Sequence, residues 1–402
     1  GGRYAQVLMD WYAKAELPAR KDFWLLAIEK FGPDAKALQA ARDRYDKATS
    51  DVERSEAEMA LRRALISSRT RLLQRFAQPQ GGMRFLVNMR ADLLALPKAE
   101  QRYVALDAEL EHLFSSWFDV ALLELKSINW DSPASLLEKL IQYEAVHDIR
   151  SWADLKNRLD SDRRCYGFFH PRMPNVPLIF VEVALLDKMA GSMAPLLDES
   201  AAAADLSKAN TAIFYSISNT QTGLKGVSFG DSLIKHVVET LTQEFPKLKQ
   251  FATLSPIPGL RSWIAKNGDA VLAELDDKQK AALEKVAGGV SAAQLLGALD
   301  DPGSLPEKSV VCGAAMFCAA RYLGRETAKS RPLDAVARFH LGNGARVERL
   351  NWAADLSTKG LKQSMGLMVN YLYDLKRLDK HRSLLAQGKI PVSSEIESLC
   401  KG

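Results

Sequence analysis

The sequence predicts a two-domain α+β chain: an all-α helical bundle over residues 1–155, then a mixed α/β domain over 156–402 that carries a helical insertion. Three observations carry this reading. The 402 residues are too many for one ordinary core and suit two domains. Through the first 155 residues apolar positions recur three and four apart, the period of helices buried on one side. After Cys165 the pattern changes to unbroken β-branched and aromatic runs, separated by glycine-bearing loops and helices, which is the order of an α/β layer.

Taken in order, Gly32-Pro33-Asp34 starts a helix whose apolar stripe is Leu38, Ala41, Tyr45, Ala48 and Val52. That spacing predicts one long helix. Gln78-Pro79-Gln80-Gly81-Gly82 ends the next periodic stretch, around Leu72, Leu73 and Phe76. Ser132-Pro133 predicts another helix start, with a capping hydroxyl and proline in the first turn, and Leu136, Leu137, Leu140 and Ile141 facing inward. Residues 174–186 (PNVPLIFVEVALL) and 210–218 (NTAIFYSIS) predict strands. Residues 231–245 are helix-periodic, QFATL is a short strand, and residues 268–330 revert to alanine-rich helix, the insertion. AVARFHLGNGARVERLNW predicts a hairpin of two alternating strands around Gly342-Asn343-Gly344. A last strand is expected within 366–375.

Hydrophobic residues make up 47% and charged residues 26%, a globular rather than disordered composition. The net charge of +5 is a small excess of 54 basic over 49 acidic residues, without a Lys/Arg block. That suits an anionic small molecule and gives no support to nucleic acid as a partner. Cys165, Cys312, Cys318 and Cys400 are scattered without metal-ligand spacing, so they read as reduced thiols and no metal site is expected. No stretch has the length of a membrane span and no signal-peptide pattern is present, so a cytoplasmic location is expected. Gly1-Gly2 without methionine reads as a processed end, and the last five residues are not a peroxisomal address.

Three places could hold chemistry. TQTGLKGVSFGDSLIKHVVETL (220–241) runs from a strand into a helix with glycines at 223, 226 and 230. Glycines allow φ > 0 and close approach of ligand oxygens, and a helix N-terminus favours anions. The stretch is therefore either a pyrophosphate cradle, with Lys225 adding a charge, or a plain chain reversal. Ser255 follows the strand QFATL and precedes Pro256 and Pro258, which fix φ and lack N–H donors. It is either a held functional hydroxyl or a Ser-Pro turn leading into the helix through Leu260, Trp263 and Ile264. His340, in the expected hairpin, alternates with Ala337, Phe339 and Leu341, so it should face away from the core beside Arg338. It is either a surface residue or a proton-transfer group. His112, His147, His236 and His381 lie in helical surroundings, and His170 precedes a proline. No Gly-x-Ser-x-Gly elbow occurs, so hydrolase chemistry gains no support.

Four separated motifs then point to one family. HPRMPNVPLIFVEVAL, FYSISNTQTGLKGVSFGDSLIKHVV, LSPIPG and ARFHLGNGARVERLNWAADLSTKGLKQSMGLMVNY occur in order over about residues 165–373. Together they resemble the malonyl-CoA decarboxylases; the helical half resembles that family's helical domain only in kind. The resemblance implies a GNAT-like catalytic domain, a mixed sheet that opens to admit CoA, and conversion of malonyl-CoA to acetyl-CoA and carbon dioxide without metal or organic cofactor. It puts the catalytic serine at Ser255 and the catalytic histidine at His340. It puts the CoA pyrophosphate loop at Lys225, Gly226, Val227, Ser228, Phe229, Gly230 and Asp231. Animal members carry an acidic residue where this chain has Ser228, so no role of that acid transfers. Asn343, Arg172, Asn370 and Tyr371 lie in motif regions and are candidates for the acyl pocket. The helical half is expected to serve self-association as a homotetramer, a dimer of dimers.

On that resemblance, loss of carbon dioxide leaves an enolate on the thioester, Ser255 orients the departing carboxylate, and His340 supplies a proton to C2 directly or through the serine. Two rivals share the CoA cleft: a CoA-dependent N-acyltransferase, and a protein that binds CoA thioesters without turnover.

Overall fold

The computed structural model describes residues 2–97, 100–230 and 232–401. The chain forms two compact units: Gly1–Glu124 with Phe169–Leu178 and Gln221–Phe229, and Leu125–Phe168 with Ile179–Thr220 and Gly230–Gly402. Residues 125–155, grouped with the helical half by their sequence pattern, thus fall in the second unit. Two short segments of the later chain fall in the first.

The first unit is helical: α1 (Gly2–Lys14), α2 (Leu17–Lys30), α3 (Ala35–Lys47), α4 (Asp51–Leu65), α5 (Ser68–Ala77), α6 (Gly82–Leu94) and α7 (Val104–Trp117). The single long helix expected over residues 35–52 is instead two. Ser50 Oγ accepts from Glu53 N–H, while the Glu53 carboxylate accepts from the backbone N–H groups of Thr49 and Ser50. This capping box uses donors that a continuous helix would need, so the chain stops at α3 and restarts as α4. Of the expected stripe only Ala41 is buried; Val52 is 70% exposed. The core is aromatic: the rings of Tyr12 and Phe85 meet edge to face at 5.2 Å, and Trp24 meets Tyr103 at 5.5 Å. Each large side chain buried this way contributes about 1.5–3 kcal/mol. At the α5–α6 turn Gly81 has φ +78°, and a Cβ on Gly82 would stand 2.0 Å from the Phe76 carbonyl oxygen, so the turn needs both glycines.

The second unit is built on an eight-stranded sheet. Its strands are β1 (Glu124–Ile128), β2 (Arg163–Phe169), β3 (Pro177–Leu186), β4 (Thr211–Asn219), β5 (Gln250–Thr253), β6 (Ser255–Pro256), β7 (Arg346–Asn351) and β8 (Met368–Leu372). The order is β1-β2-β3-β4-β5-β8-β6, with β7 paired to β8. β3 is buried from Pro177 to Leu185, which is why it reads as a continuous apolar run. β4 runs antiparallel to β3, with a register shift that leaves Tyr215 as the extra residue between Ser216 and Phe214. β4 and β5 are parallel but paired only from Thr211↔Gln250 to Phe214↔Thr253. Beyond that point β4 continues to Asn219, while Ser255 and Pro256 turn away to pair with Val369 and Met368 of β8. The sheet therefore opens at its centre.

The helices of this unit used below are α8 (Ala134–Tyr143), α9 (Trp152–Arg158), α10 (Leu233–Glu244), α11 (Leu260–Leu272), α12 (Asp277–Ala287), α13 (Ala292–Ala298), α14 (Val310–Gly324), α15 (Ala335–Gly342) and α16 (Leu378–Ala386). Helices α11–α14 form the insertion. Its centre, α14, is buried nearly throughout because its alanines let neighbours approach from all sides. α8 begins one residue later than the expected start: Pro133 is its N-cap, and Ser132 Oγ accepts from Asn129 N–H instead of capping the helix. The first arm of the expected hairpin is also corrected. Asp334 Oδ1 accepts from Val336 and Ala337 N–H, which starts α15 as a helix. Only the second arm is a strand, β7. Among the described residues no helix is long and apolar enough to cross a membrane.

Candidate active site

α15 reverses the expected orientation of His340. On a helix Ala337, His340 and Leu341 share one face, and all three are buried. His340 thus faces inward, not towards solvent beside Arg338. Ser255 is buried too, in the two-residue strand that Pro256 cannot extend through an N–H.

The two side chains meet. Ser255 Oγ lies 3.3 Å from His340 Nε2 and donates to Thr253 Oγ1 at 2.8 Å. His340 Nδ1 lies 2.6 Å from the Tyr373 hydroxyl. A serine has one proton, and here it goes to Thr253, so Ser255 accepts from Nε2–H. Nδ1 is then the bare nitrogen and accepts from Tyr373 O–H. The result is a directed chain: Tyr373 to His340, His340 to Ser255, Ser255 to Thr253. The His340 ring stacks on Tyr371 at 4.8 Å and 24°, and Tyr371 N–H donates to Thr253 Oγ1 at 3.1 Å. Complete burial pushes the imidazole down to about 3, and burial raises the Tyr373 phenol well above its ordinary range. Both groups are neutral at physiological pH.

A cavity of about 270 Å³ opens beside the pair. Ser255, His340, Phe214, Ser216, Val336 and Phe339 lie along its wall. These residues come from the far end of β4, from β6 and from α15, so the opening in the sheet makes the cavity. Ser216 Oγ donates to the Glu144 carboxylate at 2.8 Å, and that carboxylate also accepts from the N–H groups of Val146 and His147.

Most of the expected CoA loop belongs to the first unit. Arg90, buried on α6, donates through Nη1 to the carbonyls of Gly223 and Lys225 at 2.9 and 2.8 Å, and pairs with Asp107 and Glu111. Gly223 sits so close to α6 that a Cβ would stand 1.8 Å from the Val87 carbonyl oxygen. The Phe229 carbonyl accepts from Val120 N–H at 2.9 Å. Lys225, Gly226 and Ser228 are exposed and Val227 is buried. Gly226 and Gly230 take φ of +81° and +84°, the conformations for which glycine was expected. Gly230 belongs to the second unit, and Asp231 lies outside the described residues.

The four acyl-pocket candidates take other positions, and none is among the residues lining the cavity. Arg172 donates to the carbonyls of Gln78 and Pro79 within the first unit. Asn370 donates to the carbonyls of Thr253 and Ala190, and its own oxygen accepts from Arg349 and Asn351. Asn343 donates to Phe339 one turn back on α15. Tyr371 is the ring beneath His340. Asn370 and Tyr371 therefore brace Thr253 and His340 from behind. Thr253, Tyr373 and Arg90 were not singled out from sequence. Their contacts span up to 135 residues, and no local pattern marks them. Among the described residues no cluster of three His, Cys, Asp or Glu side chains could hold a metal ion.

Comparison with known proteins places these observations. Residues 121–402 match the family described as malonyl-CoA decarboxylase C-terminal domain, and residues 31–118 match malonyl-CoA decarboxylase N-terminal domain. The chain is 37% identical over 362 residues to malonyl-CoA decarboxylase, mitochondrial, of Mus musculus, covering 86% of this chain and 73% of that one. With the Rattus norvegicus protein of the same name the identity is 38% over 360 residues, with the same coverage. The crystal structure of malonyl-CoA decarboxylase from Agrobacterium vitis is similar with a TM-score of 0.86 at 40% identity, covering 100% of this chain and 95% of that one. The Rhodopseudomonas palustris structure gives 0.85 at 41%, covering 99% and 94%.

Proposed function

We propose a mechanism on the premise that this chain belongs to the malonyl-CoA decarboxylase family. The reaction is decarboxylation of malonyl-CoA to acetyl-CoA and carbon dioxide. The observation that supports the mechanism is the directed hydrogen-bond chain from Tyr373 through His340 to Ser255 at the wall of the cavity.

The acyl group of malonyl-CoA occupies the cavity with its carboxylate turned out of the thioester plane. The bond from C2 to the carboxylate carbon breaks, its electron pair moves into the thioester as an enolate, and carbon dioxide leaves. The thioester carbonyl is the electron sink, so this mechanism uses no metal and no organic cofactor. Ser255 then gives its proton to C2 and takes the Nε2 proton of His340, while Nδ1 takes the proton of Tyr373. As product leaves, one solvent proton enters at Ser255 and returns along the same chain through Nε2 and Nδ1 to the Tyr373 phenolate, which restores the Nε2–H tautomer and consumes one proton per turnover. His340 works as a neutral relay, consistent with a burial that holds its imidazolium form to about pH 3.

Three further parts of the reading rest on separate observations. The loop Lys225–Asp231 takes the CoA pyrophosphate, supported by the positive φ of Gly226 and Gly230. The helical unit mediates self-association into a homotetramer, supported by an exposed apolar stripe of Tyr4, Val7, Leu8 and Trp11 on α1; a monomer by sedimentation at working concentration would remove that part. A cytoplasmic location is supported by four free cysteines, all buried, which suit a reducing compartment.

The decisive experiment measures acetyl-CoA formed from malonyl-CoA by the wild type, Ser255→Ala and His340→Ala. Wild-type turnover with kcat lowered about 10²–10⁴-fold in both folded variants is expected. Variants that retain near-wild-type kcat would overturn the relay, and a wild type without product would overturn the activity.

A further inference from the structure

Away from the Ser255–His340 cavity, the second unit holds a larger cavity of about 520 Å³ beside α16. Its charged lining is of one sign: Arg325, Arg346, Arg377, Lys380 and Lys389, with no carboxylate along the wall. In a chain whose basic and acidic residues nearly balance, five cations around one cavity concentrate positive potential there. Three of them have partners just outside: Arg325 with Glu397 and Arg346 with Glu348, both at 2.6 Å, and Arg377 with Asp374 at 3.5 Å. Those pairs hold the arginines in place and leave donors over, since each guanidinium carries five N–H groups. Lys380 and Lys389 are exposed, and among the described residues neither has a carboxylate at ion-pair distance. Leu384, Ile390 and Val392 add aliphatic side chains to the same wall.

A wall that combines cations with aliphatic side chains recognises a ligand with both characters. It fits several phosphate oxygens joined to a flat or apolar body. The volume lies in the range of small-molecule sites, about 300–1,000 Å³. We propose that this cavity is a binding site for a nucleoside polyphosphate, held by Lys380, Lys389 and the three arginines, with its base against the aliphatic wall. Two sources carry that chemistry: a free nucleotide, or the phosphates and adenosine of a CoA molecule.

The test titrates the full chain with adenosine triphosphate, and separately with inorganic pyrophosphate, by calorimetry at two ionic strengths. Saturable binding that weakens with salt is expected, with the nucleotide tighter than pyrophosphate because only it covers the aliphatic wall. Lys380→Glu combined with Lys389→Glu should weaken binding about tenfold or more. The milder pair Lys380→Gln and Lys389→Gln, which removes charge without reversing it, should weaken it less and in the same direction. Repeating the titration with saturating CoA separates the sources. Undiminished nucleotide binding identifies a free nucleotide; competition, with a raised KM for malonyl-CoA in the double variant, identifies CoA itself. Absence of binding by the wild type, or affinity unchanged in both double variants, would overturn the proposal.

Discussion

The loop at 221–229 hangs on a charged side chain, whereas Ser255 and His340 are fixed by neutral ones. Arg90 is buried and holds two loop carbonyls, yet its partners Asp107 and Glu111 reach towards water, with side chains 32% and 46% exposed. The Ser255–His340 pair sits among Thr253, Tyr371 and Tyr373, all buried and uncharged. The difference follows from the roles proposed for the two regions. A phosphate-binding loop stays open to solvent, so its anchor must reach it from behind, and a guanidinium can serve two carbonyls and two carboxylates at once. A proton relay has to keep its donors aligned and dry, and a formal charge there would carry a large desolvation cost.

The comparison can be broken from the neutral side first. Tyr373→Phe keeps the ring but removes the O–H that fixes the tautomer of His340 and supplies its proton to Nδ1. The expected result is a kcat at least about tenfold lower with KM nearly unchanged, no less than the loss of one hydrogen bond of about 1.4 kcal/mol. A purely structural role would lower thermal stability and leave the kcat of the folded fraction intact, so the two parameters are measured together. On the charged side Arg90→Met should act on KM instead. The loop carbonyls lose their donor, KM for malonyl-CoA rises roughly fivefold, and kcat changes little, an effect of about 1 kcal/mol. A fall in kcat with constant KM would show that the loop does not bind substrate.

A third test sharpens the contrast through pH. The unfolded chain binds a proton at His340 near pH 6.5, while the folded chain does so only near 3. Stability is therefore complete above about pH 6.5 and declines as pH falls towards 3, by at most about 1.4 kcal/mol per unit from this group. His147 and His170, also lowered by burial, add to the same slope. Between pH 8 and 6.5, kcat/KM should not vary with the protonation of His340; an acid limb near 6.5 that His340→Gln removes would mean a solvated imidazole.

Legibility in the sequence divides along the same line. β3 and β4 are plain because strands covered on both faces are apolar at most positions, Glu182 on β3 and Thr211, Ser216 and Ser218 on β4 being buried exceptions. Ser255 is plain because two prolines directly after one hydroxyl leave the chain few conformations. α15 is misread because eight residues can satisfy a period of 2 and of 3.6 together, and Ala337, Phe339 and Leu341 alternate as a strand would. The signal that decides the matter is Asp334, an N-cap residue directly ahead of the segment. The break between α3 and α4 was likewise marked by Thr49-Ser50 and Glu53. Arg90 and Tyr373 leave no such mark, since each acts through a partner that only the tertiary fold brings near; Thr253 is only two residues from Ser255, but a threonine ending a strand carries no distinguishing pattern.

The residues along the wall of the 270 Å³ cavity include none with a formal charge: serines, one asparagine, one tyrosine, a neutral histidine and apolar side chains. A malonyl carboxylate entering it exchanges a full shell of water for a handful of hydroxyls, and the more of its charge passes to the thioester oxygen, the less that exchange costs. Polarity itself then becomes a handle on rate. An analogue that cannot discharge its negative charge, such as a sulfonate of the same shape in place of the carboxylate, should bind poorly there even with every contact in place.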